Sequence, residues 1–238
     1  MKSIRLDSLL SEQGFAARRK IESFLKENPV IVNGERIMLP GTRINPDTDD
    51  ILVSGKKLPK IDKVYFILNK PVGIVSTASD EKGRKNVVSL VKSKERLFPV
   101  GRLDRDSEGI ILLTNDGDLA NIITHPRFGV PKTYDVLVAG EMEEWKLNKL
   151  RSGVRLNDGV TRPADIEEIK NMGRRTLLRL TFKEGKKRQI RRMCSALQLE
   201  VQTLRRISIG GVELGTLQPG KSRQLTDHEL KTLKSFAK

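Results

Sequence analysis

The apolar residues at the start of this 238-residue chain recur at helical spacing. Leu6, Leu9 and Leu10 predict a first helix that Gly14 ends, since glycine adopts the left-handed conformation common after helices. Residues 17–25 predict a second helix with its basic side chains outside the apolar stripe. The chain therefore opens with two short amphipathic helices.

A hairpin pattern follows these helices. Val30–Val32 is predicted to pair with residues 35–38 across Asn33-Gly34, a strong signal for a two-residue turn, and Ile51–Val53 predicts a further strand. Residues 56–63 are polar and contain Pro59, so we place a linker there. Residues 1–58 are thus expected to form a small α/β module, and residues 59–238 a second domain.

Strand patterns outnumber helical patterns in the second domain. The predicted helices are a short one after the turn at Asp116-Gly117, residues 141–151, residues 188–197, and a last segment that Thr226 and Glu229 open with a capping box. The predicted strands cover residues 65–68, 98–103, 109–114, 132–138, 154–156, 164–169, 175–182 and 201–209. Because turns join many of these strands, which do not alternate with helices as in βαβ units, the expected fold class is α+β, with a mainly antiparallel mixed sheet and flanking helices.

The net charge of the chain indicates which class of partner it binds. The chain carries 45 Lys and Arg against 30 Asp and Glu, a net charge of +15, which favours a polyanion such as nucleic acid. Apolar runs fall short of the roughly 18 residues of a membrane helix, so no membrane association is expected. Cys194 is the single cysteine, and His125 and His228 are far apart, which argues against a disulfide and a structural zinc site and fits a reducing, cytoplasmic compartment.

The stretch GRLDRDSEGIILLTNDGDLA, residues 101–120, places acids beside a buried-strand pattern. Arg102 and Asp104 would face the same side if the strand beginning at Phe98 continues that far. A calcium loop is excluded because its twelfth position, where a bidentate Glu is needed, is Asn115. A solvated turn and a catalytic carboxylate on a loop after a strand both fit these residues.

Two basic segments could contact RNA. Residues 174–192 contain nine Lys and Arg against one acid, Glu184, a density typical of a solvated face or of a phosphate-binding face. The N-terminal stretch RLDSLLSEQGFAARRKIESFLKENPVIVNG resembles the S-four-like RNA-binding domain. The resemblance implies that Arg18, Arg19 and Lys20 lie against RNA phosphate.

Three further motifs occur in a fixed order behind this module and an LNKPVG turn: GRLDRDSEGIILLTNDGDLA, PKTYDVLV and EGKKRQIRRM. Together they resemble the RsuA-type ribosomal RNA pseudouridine synthases over essentially the whole chain. The resemblance implies that Asp104 is the reacting carboxylate, that Tyr134 stacks on the uracil and handles the proton at carbon 5, and that Arg191 is the cation paired with Asp104. It further implies the RNA- and substrate-contacting residues Arg102, which fills the space left by the flipped uridine, Ile190, which floors the pocket, and Arg188.

The expected function is isomerisation of a specific uridine in ribosomal RNA to pseudouridine. The run from Arg188 to Arg192 is similar to that of large-subunit enzymes. The resemblance implies no organic cofactor and no catalytic metal, and the expected protein is a cytoplasmic monomer acting on ribosomal RNA or a ribosome assembly intermediate. Two alternatives stay open: a non-catalytic RNA-binding assembly factor on the same fold, and a glycosylase that releases free uracil.

Overall fold

A computed structural model describes residues 3–59, 62–78 and 83–237, with the side chains of residues 167–169 left out of the description. The chain forms two compact units. The first runs to Val64 and includes Ser93–Arg96 and Asn115–Gly117, and the second contains the remaining residues.

The first unit contains the two predicted helices and a small sheet. A 3₁₀ turn at Arg18–Lys20 precedes the second helix, and a core of leucine, isoleucine and valine side chains fills the space between helices and strands. Its elements are β1 (Ile4–Arg5), α1 (Leu6–Glu12), α2 (Ile21–Glu27), β2 (Val30–Val32), β3 (Glu35–Arg36), β4 (Arg43–Ile44), β5 (Ile51–Val53) and β6 (Lys56–Lys57). Strands β3, β2, β5 and β6 form one sheet in that order, and β1 pairs with β4.

Turn residues explain where these strands begin and end. Asn33 and Gly34 have φ of 52° and 87°, so the hairpin between β2 and β3 turns as predicted. Ser54 and Gly55 also have positive φ and return β6 onto β5. Lys56 and Lys57, at the start of the predicted linker, therefore form strand β6, and the first unit runs to Val64.

The second unit is built on a large mixed sheet. Its helices are α3 (Gly117–Thr124), α4 (Glu144–Ser152), α5 (Gln189–Ala196) and α6 (Asp227–Ser235). Its strands are β7 (Tyr65–Lys70), β8 (Phe98–Val100), β9 (Glu108–Thr114), β10 (Lys132–Ala139), β11 (Arg155–Leu156), β12 (Gly159–Val160), β13 (Asp165–Asn171), β14 (Arg175–Phe182), β15 (Glu200–Ile209), β16 (Val212–Glu213) and β17 (Ser222–Gln224).

The order of the main sheet is β13-β14-β10-β15-β9-β7-β17, with β16 added to β15 and β8 added to β9. Every pairing in it is antiparallel except that of β15 with β9, where Arg205 and Arg206 lie beside Glu108 and Gly109. Helices α4 and α5 cover one cluster of buried residues and α3 and α6 another, which yields two cores in this unit. The predicted α+β class with a mainly antiparallel mixed sheet is confirmed.

Over the three ranges that the structure describes, no helix is long and apolar enough to span a bilayer.

Candidate active site

The loop that carries Asp104 leaves the sheet directly after β8. Gly101 has φ of +74°, a conformation that ends the extended strand, so the prediction that the strand continues to residue 103 is wrong. Arg102 and Asp104 therefore do not share a strand face. Leu103, between them, is fixed by Ser76, whose hydroxyl donates to the Leu103 carbonyl (2.8 Å) and accepts from its N–H (3.1 Å). Arg102 is exposed, and the Asp104 side chain is one-third exposed, at 33%.

Two turns brace each other next to this carboxylate. The N–H of Ser107 donates to the carbonyl of Asp104 at 3.1 Å, which closes a tight turn over residues 104–107. The N–H of Gly73, in the LNKPVG turn, donates to the carbonyl of Arg105 at 2.7 Å. Asp104 therefore belongs to a loop whose backbone is held on two sides.

Lys70 supports this loop from within the protein. Its side chain is fully buried, and Nζ donates to the carbonyls of Ser107 (2.6 Å) and Pro71 (3.1 Å). Burial lowers the pKa of Lys70 to about 8, although the negative charges of Asp106, Asp104 and Glu108 act to raise it. From the sequence, Lys70 was recognised only as part of the LNKPVG turn. A lysine at the end of an apolar strand was the available signal.

The depressed pKa makes stability depend on pH. Between about pH 8 and 10.5 the buried amine loses its proton before the amine of the unfolded chain does, so the unfolded state binds more protons and stability rises with pH. Lys70→Met is expected to remove this rise. The difference in free energy of unfolding between the two proteins should change by about 1 kcal/mol from pH 8 to pH 9.

Urea unfolding at several pH values from about 7.5 to about 9 measures this difference. Lys132, whose pKa burial also lowers to about 8, is present in both proteins, so its contribution cancels. Parallel stability curves for wild type and variant would contradict the assignment.

Two arginines of the α5 segment contact the acidic loop. Arg188, the residue before α5, has a left-handed φ of 49°, and its Nη1 and Nη2 donate to Oδ1 and Oδ2 of Asp106, each at 3.2 Å. Nη1 of Arg188 also lies 3.6 Å from Oδ2 of Asp104. Arg191 donates from Nη2 to the backbone carbonyl of Asp106 at 2.9 Å, and its Nε lies 3.3 Å from Oδ2 of Asp106 without hydrogen-bond geometry.

The expected pairing of Arg191 with Asp104 is thus not the pairing in this structure. Asp106 takes the Arg191 contact, and Arg188 supplies the cation near Asp104. Partial burial raises the pKa of Asp106, but the hydrogen bonds from Arg188 and the charge of Arg191 outweigh it, so the net effect is a lowered pKa. No catalytic role was predicted for Asp106 from the sequence.

Tyr134 lies on β10 opposite Arg206 of β15, and Arg206 in turn lies beside Gly109 of β9. The ring of Tyr134 packs against the core that contains Ile190, which is 7% exposed in the first turn of α5. The guanidinium carbon of Arg206 lies 6.0 Å from the centre of the Tyr134 ring. Arg206 is buried, and its Nε donates to the carbonyl of Ile110 at 2.8 Å. The pairing register therefore connects Tyr134 to the strand that follows the Asp104 loop.

An open groove of about 420 Å³ lies along α5 and the start of β15. Its lining residues are Arg188, Arg191, Ser195, Gln198, Leu199, Glu200 and Val201. The shape is open and largely polar, which suits an extended, solvated ligand more than an enclosed small molecule.

The three predicted RNA contacts of the first unit are exposed on the 3₁₀ turn. Arg18 differs from its neighbours because its Nη2 lies 3.2 Å from Oδ1 of Asp7, a carboxylate that is 6% exposed and also binds Arg5. Burial raises the pKa of Asp7, but the hydrogen bonds from Arg5 and Arg18 lower this pKa by more than burial raises it. The net effect is a pKa below the usual value of an aspartate. Arg18 therefore has a structural role as well as an exposed position.

The structure is similar to a crystal structure of a pseudouridylate synthase, with a TM-score of 0.69 and 31% identity over 97% of this chain and 99% of that one. The model of the RNA pseudouridylate synthase family matches residues 64–196.

Relatives match nearly the whole chain. An uncharacterized RNA pseudouridine synthase of Aquifex aeolicus is 43% identical over 98% of this chain and 94% of its own length. The ribosomal large subunit pseudouridine synthase B of Bacillus subtilis is 40% identical over 98% and 96%. A dual-specificity RNA pseudouridine synthase of Escherichia coli is 38% identical over 96% and 77%. The chain belongs to the RNA pseudouridine synthase family, which confirms the resemblance to its RsuA-type members.

Proposed function

We propose that this pseudouridine synthase modifies a uridine of large-subunit ribosomal RNA and that Asp104 is its reacting carboxylate. The observation that carries the proposal is the placement of Asp104 on a braced loop, partly exposed, with Arg188 3.6 Å away. The 40% identity to the Bacillus subtilis enzyme named for the large subunit, together with the Arg188–Arg192 run, supports the choice of RNA.

The chemistry needs one carboxylate and no external reagent. The carbon-nitrogen glycosidic bond of uridine breaks, with Asp104 acting as a nucleophile at the anomeric carbon or as a base in an elimination. The freed uracil turns, and its carbon 5 bonds to the same sugar carbon. The proton on carbon 5 then leaves, and nitrogen 1 gains one, so substrate and product contain the same atoms.

The remaining site residues have separate proposed roles. Tyr134 stacks on the uracil and manages the proton at carbon 5, and Ile190 forms the floor of the pocket. Arg102, exposed beside Asp104, fills the space that the target uridine leaves when it turns out of the RNA. Arg188 contributes positive charge beside the Asp104 carboxylate, and Arg191 contributes it at the neighbouring Asp106.

The partner is RNA, and the finer proposal is ribosomal RNA or a ribosome assembly intermediate bound by a cytoplasmic monomer. Light scattering on the purified protein measures its molar mass and so tests whether it is a monomer.

The decisive assay of the proposed function uses ribosomal RNA tritiated at uracil carbon 5. Isomerisation releases tritium to water while the RNA stays intact and no free uracil forms. Bound RNA that keeps its tritium would overturn the proposal, and labelled free uracil would indicate a glycosylase. The same assay on separated small-subunit and large-subunit RNAs shows which of the two is the substrate.

Neighbouring basic residues of the first unit should behave differently when they are changed. Arg18→Ala removes one partner of the buried Asp7 and is expected to lower the free energy of unfolding by about 1 kcal/mol. Arg19→Ala and Lys20→Ala should leave stability unchanged and weaken RNA binding, each reducing the salt dependence of affinity by roughly one phosphate contact. Urea unfolding and RNA binding at several salt concentrations measure both effects. An Arg19→Ala, Lys20→Ala double variant with wild-type affinity would contradict the RNA assignment.

A further inference from the structure

We propose that Asp106 is a positioning residue for the isomerisation. Its carboxylate binds the guanidinium of Arg188 beside Asp104 and prevents Arg188 from forming a two-point pair with Asp104, while its backbone carbonyl accepts from Arg191. This inference rests on the proposed role of Asp104 as the reacting carboxylate.

Asp106 contacts two arginines, through its carboxylate and through its backbone carbonyl. Both of its carboxylate oxygens accept from Arg188, at 3.2 Å each, in a bidentate arrangement. Its backbone carbonyl accepts from Nη2 of Arg191 at 2.9 Å, and Nη1 of the same arginine donates to the carbonyl of Val201 at 3.2 Å. One residue of the catalytic loop therefore binds two arginines from the segment that opens α5.

Arg188 is shared unequally between two carboxylates. The bidentate pair with Asp106 leaves its Nη1 3.6 Å from Oδ2 of Asp104, beyond ordinary hydrogen-bond distance. Arg188 therefore places its positive charge near Asp104 without hydrogen bonding to it. The carboxylate oxygens of Asp104, however, are not occupied by the fork of Arg188 and can approach a sugar carbon or a proton.

The catalytic loop needs this restraint because an arginine beside two acids has two bidentate partners to choose from. The side chains of Arg188, Asp104 and Asp106 are 43%, 33% and 48% exposed. Packing against the protein therefore does not hold any of the three in place. Arg188 lies beside two carboxylates, those of Asp104 and Asp106. If Asp106 lost its charge, Asp104 would be the one carboxylate of the two left for Arg188 to bind. A two-point pair there would hold the nucleophile in an unreactive state.

A purely structural role predicts something else. A partly exposed ion pair contributes little to stability, typically up to about 1 kcal/mol, so a turn acid of this kind is expected to leave both folding and catalysis nearly unchanged when replaced. Asp158 provides the matched case. It pairs with Arg192 of α5 at 2.9 Å and is also 48% exposed, but its partner is not one of the two arginines that contact Asp106.

The test measures kcat and KM for tritium release in Asp106→Asn, with Asp158→Asn as the control. Asp106→Asn is expected to lower kcat by about 10- to 100-fold, because small displacements of a catalytic group are enough for such losses, and to change KM for RNA by less than about threefold. Asp106→Glu, which restores the charge, should recover part of kcat. Asp158→Asn should match the wild type, and urea unfolding should place all variants close to the wild type.

Coupling to Arg188 provides a second measurement. If Asp106 acts through Arg188, adding Arg188→Ala to Asp106→Asn should cause no further loss of kcat, whereas independent effects would multiply. A wild-type kcat in Asp106→Asn, a change in KM alone, or multiplying losses would each overturn the inference. Tritium release by the wild type and its loss in Asp104→Asn would establish that Asp104 is the reacting carboxylate. Without that result, the proposed function fails first, and this inference fails with it.

Discussion

Replacing Asp104 by asparagine is expected to lower the rate of pseudouridine formation by about 1000-fold or more. Asparagine keeps the shape of the side chain, but its amide is neither a nucleophile toward a sugar carbon nor a base. The rest of the site stays in place, because Ser76 fixes Leu103 and the 104–107 turn depends on backbone groups. The loss should therefore appear in kcat.

The same variant should fold and bind RNA as the wild type does. The Asp104 carboxylate is one-third exposed, and its ion pair with Arg188 spans 3.6 Å, an interaction worth at most about 1 kcal/mol at a surface. Tritium release, RNA binding and urea unfolding are measured together, with Asp158→Asn as the control acid. An Asp104→Asn protein that releases tritium at the wild-type rate would exclude Asp104 as the reacting group. If neither the wild type nor the variant modified the RNA, the result would favour the alternative of a non-catalytic assembly factor.

The hydrophobic pattern predicted the elements that hold this site because those elements are strongly apolar. The run from Gly109 to Thr114 is buried in the middle of the sheet, and the pattern of Tyr134, Val136 and Val138 on one face of β10 is likewise present in the structure. By contrast, β17 (Ser222–Gln224), which pairs with β7, was missed, since its three polar residues carry no apolar signal.

The supporting residues of the loop were missed for a different reason. Ser76 binds Leu103, and Lys70 binds the Ser107 carbonyl, across 27 and 37 residues of chain, so no local pattern indicates either contact. The partner of Arg191 depends in the same way on tertiary geometry. Whether its guanidinium reaches Asp104 or Asp106 follows from the position of α5 against the loop, which residue spacing does not specify.

Gly109 connects that loop to the centre of the sheet, and its position leaves no room for a side chain. It has φ of +104° and lies between Lys70 of β7 and Arg206 of β15, where the parallel and antiparallel pairings meet. A Cβ atom built at Gly109 would lie 2.1 Å from the backbone carbonyl oxygen of Arg206. Because the obstructing atom belongs to a neighbouring strand, the backbone itself would have to move.

Gly109→Ala is therefore expected to lower the free energy of unfolding by on the order of 4 kcal/mol, adding steric overlap to backbone strain. Two alanine variants separate these causes in urea unfolding. Gly173→Ala, at φ +78° with open space around it, should cost only the left-handed conformation, about 1 kcal/mol, and Gly185→Ala, with open space and ordinary φ, should cost almost nothing. If Gly109→Ala were no worse than Gly173→Ala, the close pairing of β9 with β15 would be incorrect. That pairing places Arg206 between Gly109 and Tyr134, so the error would extend to the geometry of the active site.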